Sequence, residues 1–92
     1  MTPRFPLGRL VATPGALSAL AEASVEPLEL LRRHQDGDWG QVPACDAKEN
    51  EMSLRHGWRV LSSYPIGEDG GKVWVLTEAT REATTILLPS EY

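Results

Sequence analysis

The sequence predicts an α+β domain, with N-terminal helices packed on a small antiparallel β-meander of three or four strands. Three observations carry this. Apolar residues recur at helical spacing between residues 14 and 34, alternating β-rich segments fill the stretch from residue 57 to the end, and short Gly- and Glu-rich connections separate those segments. The chain reads as one domain over residues 1–92: an extended arm or strand (1–13), a helical half (14–56) and the meander (57–92).

Each element follows from local chemistry. Leu7–Thr13 (LGRLVAT) is short and apolar, and suits a leading strand. Thr13-Pro14 is a helix start, because Thr caps the free amides and Pro at the first position lacks only an N–H that would be orphaned anyway. Ala16, Leu17, Leu20 and Ala21 then predict a helix over Pro14–Ala23. Pro27 restarts the chain, and Leu28, Leu30 and Leu31 predict a second helix to His34, with Arg32, Arg33 and His34 suiting the negative end of its dipole. A third helix is expected over Cys45–His56, stopped by Gly57. Its residues are strongly polar, so Asp46, Glu49 and Glu51 are expected in water. Strands follow at Trp58–Tyr64, Lys72–Thr77 and Ala83–Leu88, joined by a Gly67–Gly71 hairpin and a Glu78–Glu82 turn.

Bulk properties bound the function. Apolar residues are 41% and charged residues 24%, a globular composition, and the net charge is −4. An acidic chain gains no overall attraction to phosphate backbones, so nucleic acid is disfavoured as a partner. Thirteen scattered carboxylates are too few for a nucleic-acid mimic. The single cysteine, Cys45, permits no internal disulfide and no multi-thiolate zinc site. No apolar run reaches the length of a membrane span or a signal segment, so a cytoplasmic location is expected.

Three blocks, TPRFPLGRLVATPGAL, RRHQDGDWG and WVLTEATREATTILLPSEY, in that order, resemble a group of short bacterial proteins encoded on plasmids and integrative elements. The resemblance covers almost the whole chain. It implies a setting on mobile DNA, where small proteins modulate host defence, conjugation or toxicity. A 92-residue chain is too small to hold a methyltransferase cofactor fold and has no glycine-rich cofactor loop, so no cofactor is expected.

Four candidate sites stand out. In HQDGDWG, His34, Asp36 and Asp38 surround a Gly turn. They could form a partner-binding loop, or simply end the second helix while Trp39 enters the core and Asp38 bonds backbone amides or the Trp39 indole. Their spacing is too loose to predict a metal site. Cys45 at a helix start could be a nucleophile with His34 or His56 as its base, or a small buried filler. In TEATREATT, Glu78 as base, Arg81 as transition-state clamp and His34 or His56 as acid would give a compact nuclease of the RelE or barnase kind. The alternative is a polar turn between β-branched strand residues. Lastly, Trp74 and Leu76 alternate with Val73 and Val75, so both faces of that strand are apolar. One face must then be covered by the arm carrying Phe5, or offered to a protein partner or a second copy.

The balance favours a small interaction protein over an enzyme. Its expected partner surface comprises Trp74, Thr77, Glu78, Arg81 and Thr84 on the sheet, with Asp36 and Asp38 nearby.

Overall fold

In the computed structural model, which describes residues 3–67 and 70–92, the fold is α+β. Strand β1 (Arg9–Ala12) leads into helices α1 (Pro14–Glu22), α2 (Pro27–Gln35) and α3 (Ala44–His56). Strands β2 (Val60–Pro65), β3 (Lys72–Thr77) and β4 (Ala83–Leu87) follow, and a 3₁₀ turn closes the chain at Pro89–Glu91. Two residues of the expected hairpin, Glu68 and Asp69, lie outside the described residues.

The sheet order is β1-β4-β3-β2. β2, β3 and β4 form the antiparallel meander, with Ser62 opposite Val75 and Val75 opposite Ile86. β1 adds a fourth strand parallel to β4, with Leu10 beside Thr84 and Ala12 beside Ile86. The parallel pairing follows from topology, because the whole helical half and two strands lie between these partners.

The helix starts and stops are built as their residues dictate. The Thr13 hydroxyl accepts from the Ala16 amide at 3.1 Å and caps α1. Gly57, at φ +75°, ends α3 in the left-handed conformation, which glycine adopts without a Cβ clash.

Side-chain alternation sorts the sheet into two faces. Toward the helices point Val60, Ser62 and Tyr64 from β2, Val73, Val75 and Thr77 from β3, and Thr84 and Ile86 from β4; all are buried. Ala16 and Leu20 of α1 and Leu30 and Leu31 of α2 close over the Tyr64–Val73–Val75–Ile86 end and form the main core. A smaller cluster of Phe5, Trp39 and Val60 closes the other end, with Ala47 and Leu54 of α3 packed against it. Fully burying each large aliphatic side chain contributes on the order of 2 kcal/mol.

Among the described residues, the arm segment carrying Phe5 does not cover the second sheet face. Phe5 enters the helix-side cluster, stacked near Trp39 at 6.3 Å and edge-on to His34 at 5.2 Å. Arg4 straps the arm down by a two-pronged ion pair to Glu51 of α3, at 2.7 and 3.0 Å. Glu51 also accepts the Trp39 indole N–H at 3.2 Å, so this carboxylate, exposed as expected, is in addition a tether. The second sheet face carries Leu61, Leu76, Thr85 and Val11 in one row and Ser63, Trp74 and Leu87 in the next. The C-terminal turn reaches over part of it, where Tyr92 sits edge-on to Trp74 at 5.5 Å.

The two edges of the sheet differ. Along β2 the outward backbone groups are consumed. The Asn50 carboxamide donates to the Leu61 carbonyl at 2.7 Å and accepts from its amide at 3.1 Å. The Ser63 amide donates to the Trp39 carbonyl, and the Gln41 amide donates to the Ser63 carbonyl. The loop comes this close only because Gly40, at φ +72°, has no Cβ to strike the Ser63 carbonyl.

Candidate functional site

HQDGDWG is a turn. Backbone bonds from Asp36, Gly37 and Asp38 to carbonyls of Arg32, Arg33 and His34 close α2, and Trp39 drops into the core. Asp36 is half-buried at the helix end. Asp38 pairs with Arg33 at 2.7 Å and accepts from the Gly40 amide, and the Arg33 guanidinium holds its carboxyl below the usual range. No metal-binding group of His, Cys, Asp and Glu occurs among the described residues.

His34 leaves the turn entirely. It is fully buried, its Nδ1 2.6 Å from the Ser62 hydroxyl and its Nε2 2.9 Å from that of Thr77. Thr77 lies 2.7 Å from Thr84, which donates to the Leu7 carbonyl at 2.7 Å. These bonds have one consistent direction. A hydroxyl has one proton, and a carbonyl only accepts. Thr84 therefore spends its proton on Leu7 and accepts from Thr77. Thr77 in turn accepts from His34 Nε2–H, which leaves Nδ1 to accept from Ser62. The bonds place a proton on Nε2, and burial keeps the ring neutral, so Nδ1 is bare and accepts from Ser62. Burial pushes its pKa down to about 3, with the positive charge of Arg81 acting in the same direction.

This network corrects two expectations. Thr77 and Thr84 are fully buried, so neither can contact a partner. Alternation explains why: Thr77 shares the face of Val73 and Val75, and Thr84 lies opposite it. His34, with both ring nitrogens engaged and no exposure, is not placed to serve as an acid in a cleft.

Arg81 is a staple. It sits at φ +63° in the β3–β4 turn, and its guanidinium donates to the carbonyls of Trp58 at 2.7 Å, Glu78 at 3.1 Å and Ser53 at 3.2 Å. The Ser53 carbonyl belongs to the last turn of α3, where a cation offsets the dipole. Glu78 is exposed on the turn. The trio His34, Glu78 and Arg81 therefore does not converge: one is sealed, one is solvated and one is bound to backbone. Cys45 is exposed, with its sulfur 3.7 Å from Asp46, and His56 stands at the opposite end of the same helix, where it stacks on Trp58 at 4.9 Å.

The surface that remains open lies elsewhere. Asp46, Glu49, Asn50 and Ser53 follow at i, i+3, i+4 and i+7 along α3, which puts them on one helix face. With Val42, Trp58, Arg59 and Leu61 they line a groove of about 340 Å³. Asn50 and Ser53 are buried at its base, while Asp46 and Glu49 are exposed at its rim. The Asn50 brace to Leu61 holds the two walls at a set separation. Leu61 also belongs to the second sheet face, so groove and face are continuous. The Trp58 indole is 49% exposed there. Beyond it, the Arg59 guanidinium lies 5.4 Å over the ring of Tyr92 and bonds its hydroxyl, and Tyr92 leads on to Trp74.

Sequence reasoning singled out Trp74 but missed this groove. The usable signal was Asn50 and Ser53, two poor helix-interior residues one turn apart on an otherwise charged helix. Comparison with family models, curated proteins and solved structures finds no match for this chain.

Proposed function

We propose that this chain is a small binding module that docks another protein on the α3–β2 groove and the adjoining sheet face. The observation that carries this is the half-exposed Trp58 on a preformed groove, continuous with Arg59, Tyr92 and Trp74. Exposed Trp, Tyr and Arg on a rigid frame are the residue types that anchor protein interfaces. A surface already held in place loses little entropy on docking. The groups that catalysis would recruit are meanwhile engaged in holding the fold, as His34 and Arg81 are. Among the described residues no helix is long and apolar enough to cross a membrane. We place the module in the cytoplasm. The resemblance of its three sequence blocks to proteins of plasmids and integrative elements suggests the setting, modulation of a host defence system.

The test is site-specific photo-crosslinking in the native host, with the reactive residue at position 58 or 76, and at position 22 on α1 as control. A discrete cross-linked protein at 58 and 76, absent at 22, is expected. Light scattering separates a second copy of the chain from a foreign partner. A monomer that cross-links to nothing at 58 and 76, or equally at all three positions, overturns the reading.

A further inference from the structure

We propose that the α3–β2 groove receives a basic side chain of the partner, a lysine or arginine flanked by apolar residues. This rests on the reading of the groove as a docking surface and specifies its occupant by charge complementarity. The carboxylates of Asp46 and Glu49 stand one helical turn apart on the rim, and neither belongs to an ion pair among the described residues. Arg4 is paired with Glu51, Arg33 with Asp38, and Arg81 is bound to backbone carbonyls, while Lys48 and Arg55 of α3 form no ion pair with either carboxylate among the described residues and do not line the groove. The same groove is lined by the half-exposed Trp58, one face of whose indole is stacked on His56, and by the apolar side chains of Val42 and Leu61.

This set matches the two halves of a long basic side chain. The aliphatic stem lies on Leu61 and Val42, while the charged head reaches the two carboxylates and the indole. Charge-assisted hydrogen bonds to carboxylates and attraction to an indole face both favour a cation there. Arg59, the one cation in the lining, is turned onto Tyr92. Its presence in the lining disfavours an unbroken run of basic residues and favours a single one with apolar neighbours. The net charge of −4 adds a long-range pull on such a segment.

The test uses the full chain, isotope-labelled, titrated with three blocked peptides that differ only at the centre: Leu-Lys-Leu, Leu-norleucine-Leu and Leu-Glu-Leu. The lysine peptide is expected to shift the Trp58 indole resonance and the α3 amides. It should bind about fivefold or more tighter than the norleucine peptide, and weaken as salt rises. The double variant Asp46→Asn, Glu49→Gln, which alters only exposed positions, should remove that preference, while Leu17→Ala on exposed α1 should leave it intact. Equal binding of all three peptides at the groove overturns the basic-residue inference and leaves the docking surface standing. No peptide shift at the groove, with cross-linking at position 58 retained, has the same effect. Loss of both peptide binding and cross-linking overturns the docking surface as well.

Discussion

The Nε2 of His34 lies 2.9 Å from the hydroxyl of Thr77, and that contact joins α2 to the middle of the sheet through a chain of hydrogen bonds in which every proton has an assigned place. The chain runs between the two hydrophobic clusters, at Ser62 on β2 and at Thr77 and Thr84 on β3 and β4. Its direction is a consequence of ending on the Leu7 carbonyl, which cannot donate. Nitrogen-15 spectroscopy should therefore find the His34 Nε2 protonated and Nδ1 bare, unchanged from pH 8 to pH 5. The reverse tautomer, or titration near pH 6.5, would refute the assigned direction.

The same histidine gives the protein an acid-sensitive stability. In the unfolded chain His34 takes up a proton below about pH 6.5, while in the fold it resists protonation until about pH 3. Its contribution is fully present above pH 6.5 and is lost progressively as pH falls toward 3. The loss should approach ~2 kcal/mol by pH 5 and continue at about 1.4 kcal/mol per pH unit. Urea denaturation between pH 7 and 5 measures this before most carboxylates titrate. His34→Gln should flatten that slope while lowering stability at pH 7.

Asn50 supplies both a donor and an acceptor to Leu61. Asn50→Ala leaves a backbone N–H and C=O of an edge strand without their partners and should cost about 1–3 kcal/mol. Asn50→Asp keeps the acceptor but sets a carboxylate oxygen against the Leu61 carbonyl, and should be no better than alanine. Thermal melts of the two variants check the ranking, and an aspartate variant as stable as the parent would contradict it.

Arg4 and Glu51 should not be equivalent. Their ion pair is 41% and 47% exposed at the side chains, and pairs of that kind contribute less than about 1 kcal/mol. Arg4→Ala should stay within that limit. Glu51→Ala removes the same pair and also the acceptor of the Trp39 indole, and should cost about twice as much. Equal effects would show that the indole bond contributes nothing.

Two left-handed glycines separate strain from collision. Gly57 at φ +75° has open space where a Cβ would be, so Gly57→Ala should cost only about 1 kcal/mol of backbone strain. Gly40 at φ +72° has the Ser63 carbonyl there, and Gly40→Ala must displace the loop from β2. Its midpoint in urea should fall well below that of Gly57→Ala.

The elements were legible because their signals are local. Thr13-Pro14, Pro27 and Gly57 set the helix boundaries to within a residue or so, and Lys72–Thr77 matches the observed strand. Trp39 entering the core and the turn character of HQDGDWG could be read the same way. What could not be read was which side chains the tertiary fold would bring together. Phe5 packs with His34 across 28 intervening residues, and Glu51 reaches both Arg4 and Trp39. Thr77 and Thr84 were a different case. Alternation put Thr77 on the face of Val73 and Val75, but both faces of that strand are apolar, so it did not tell which face is inward, and the hydroxyls suggested a surface. The α3 groove stayed hidden because a charged helix shows no apolar stripe, and its inner face is held by amide and hydroxyl groups.

The carboxamide of Asn50 has a consequence for how these molecules behave in a crowd. Strand margins with free amides and carbonyls invite other chains to extend the sheet. Here the β2 margin is sealed by a side chain and a loop, and the opposite margin, β1, is only four residues long. A protein that keeps tryptophan and tyrosine on its surface is thereby left to associate through side chains rather than by extension of its sheet.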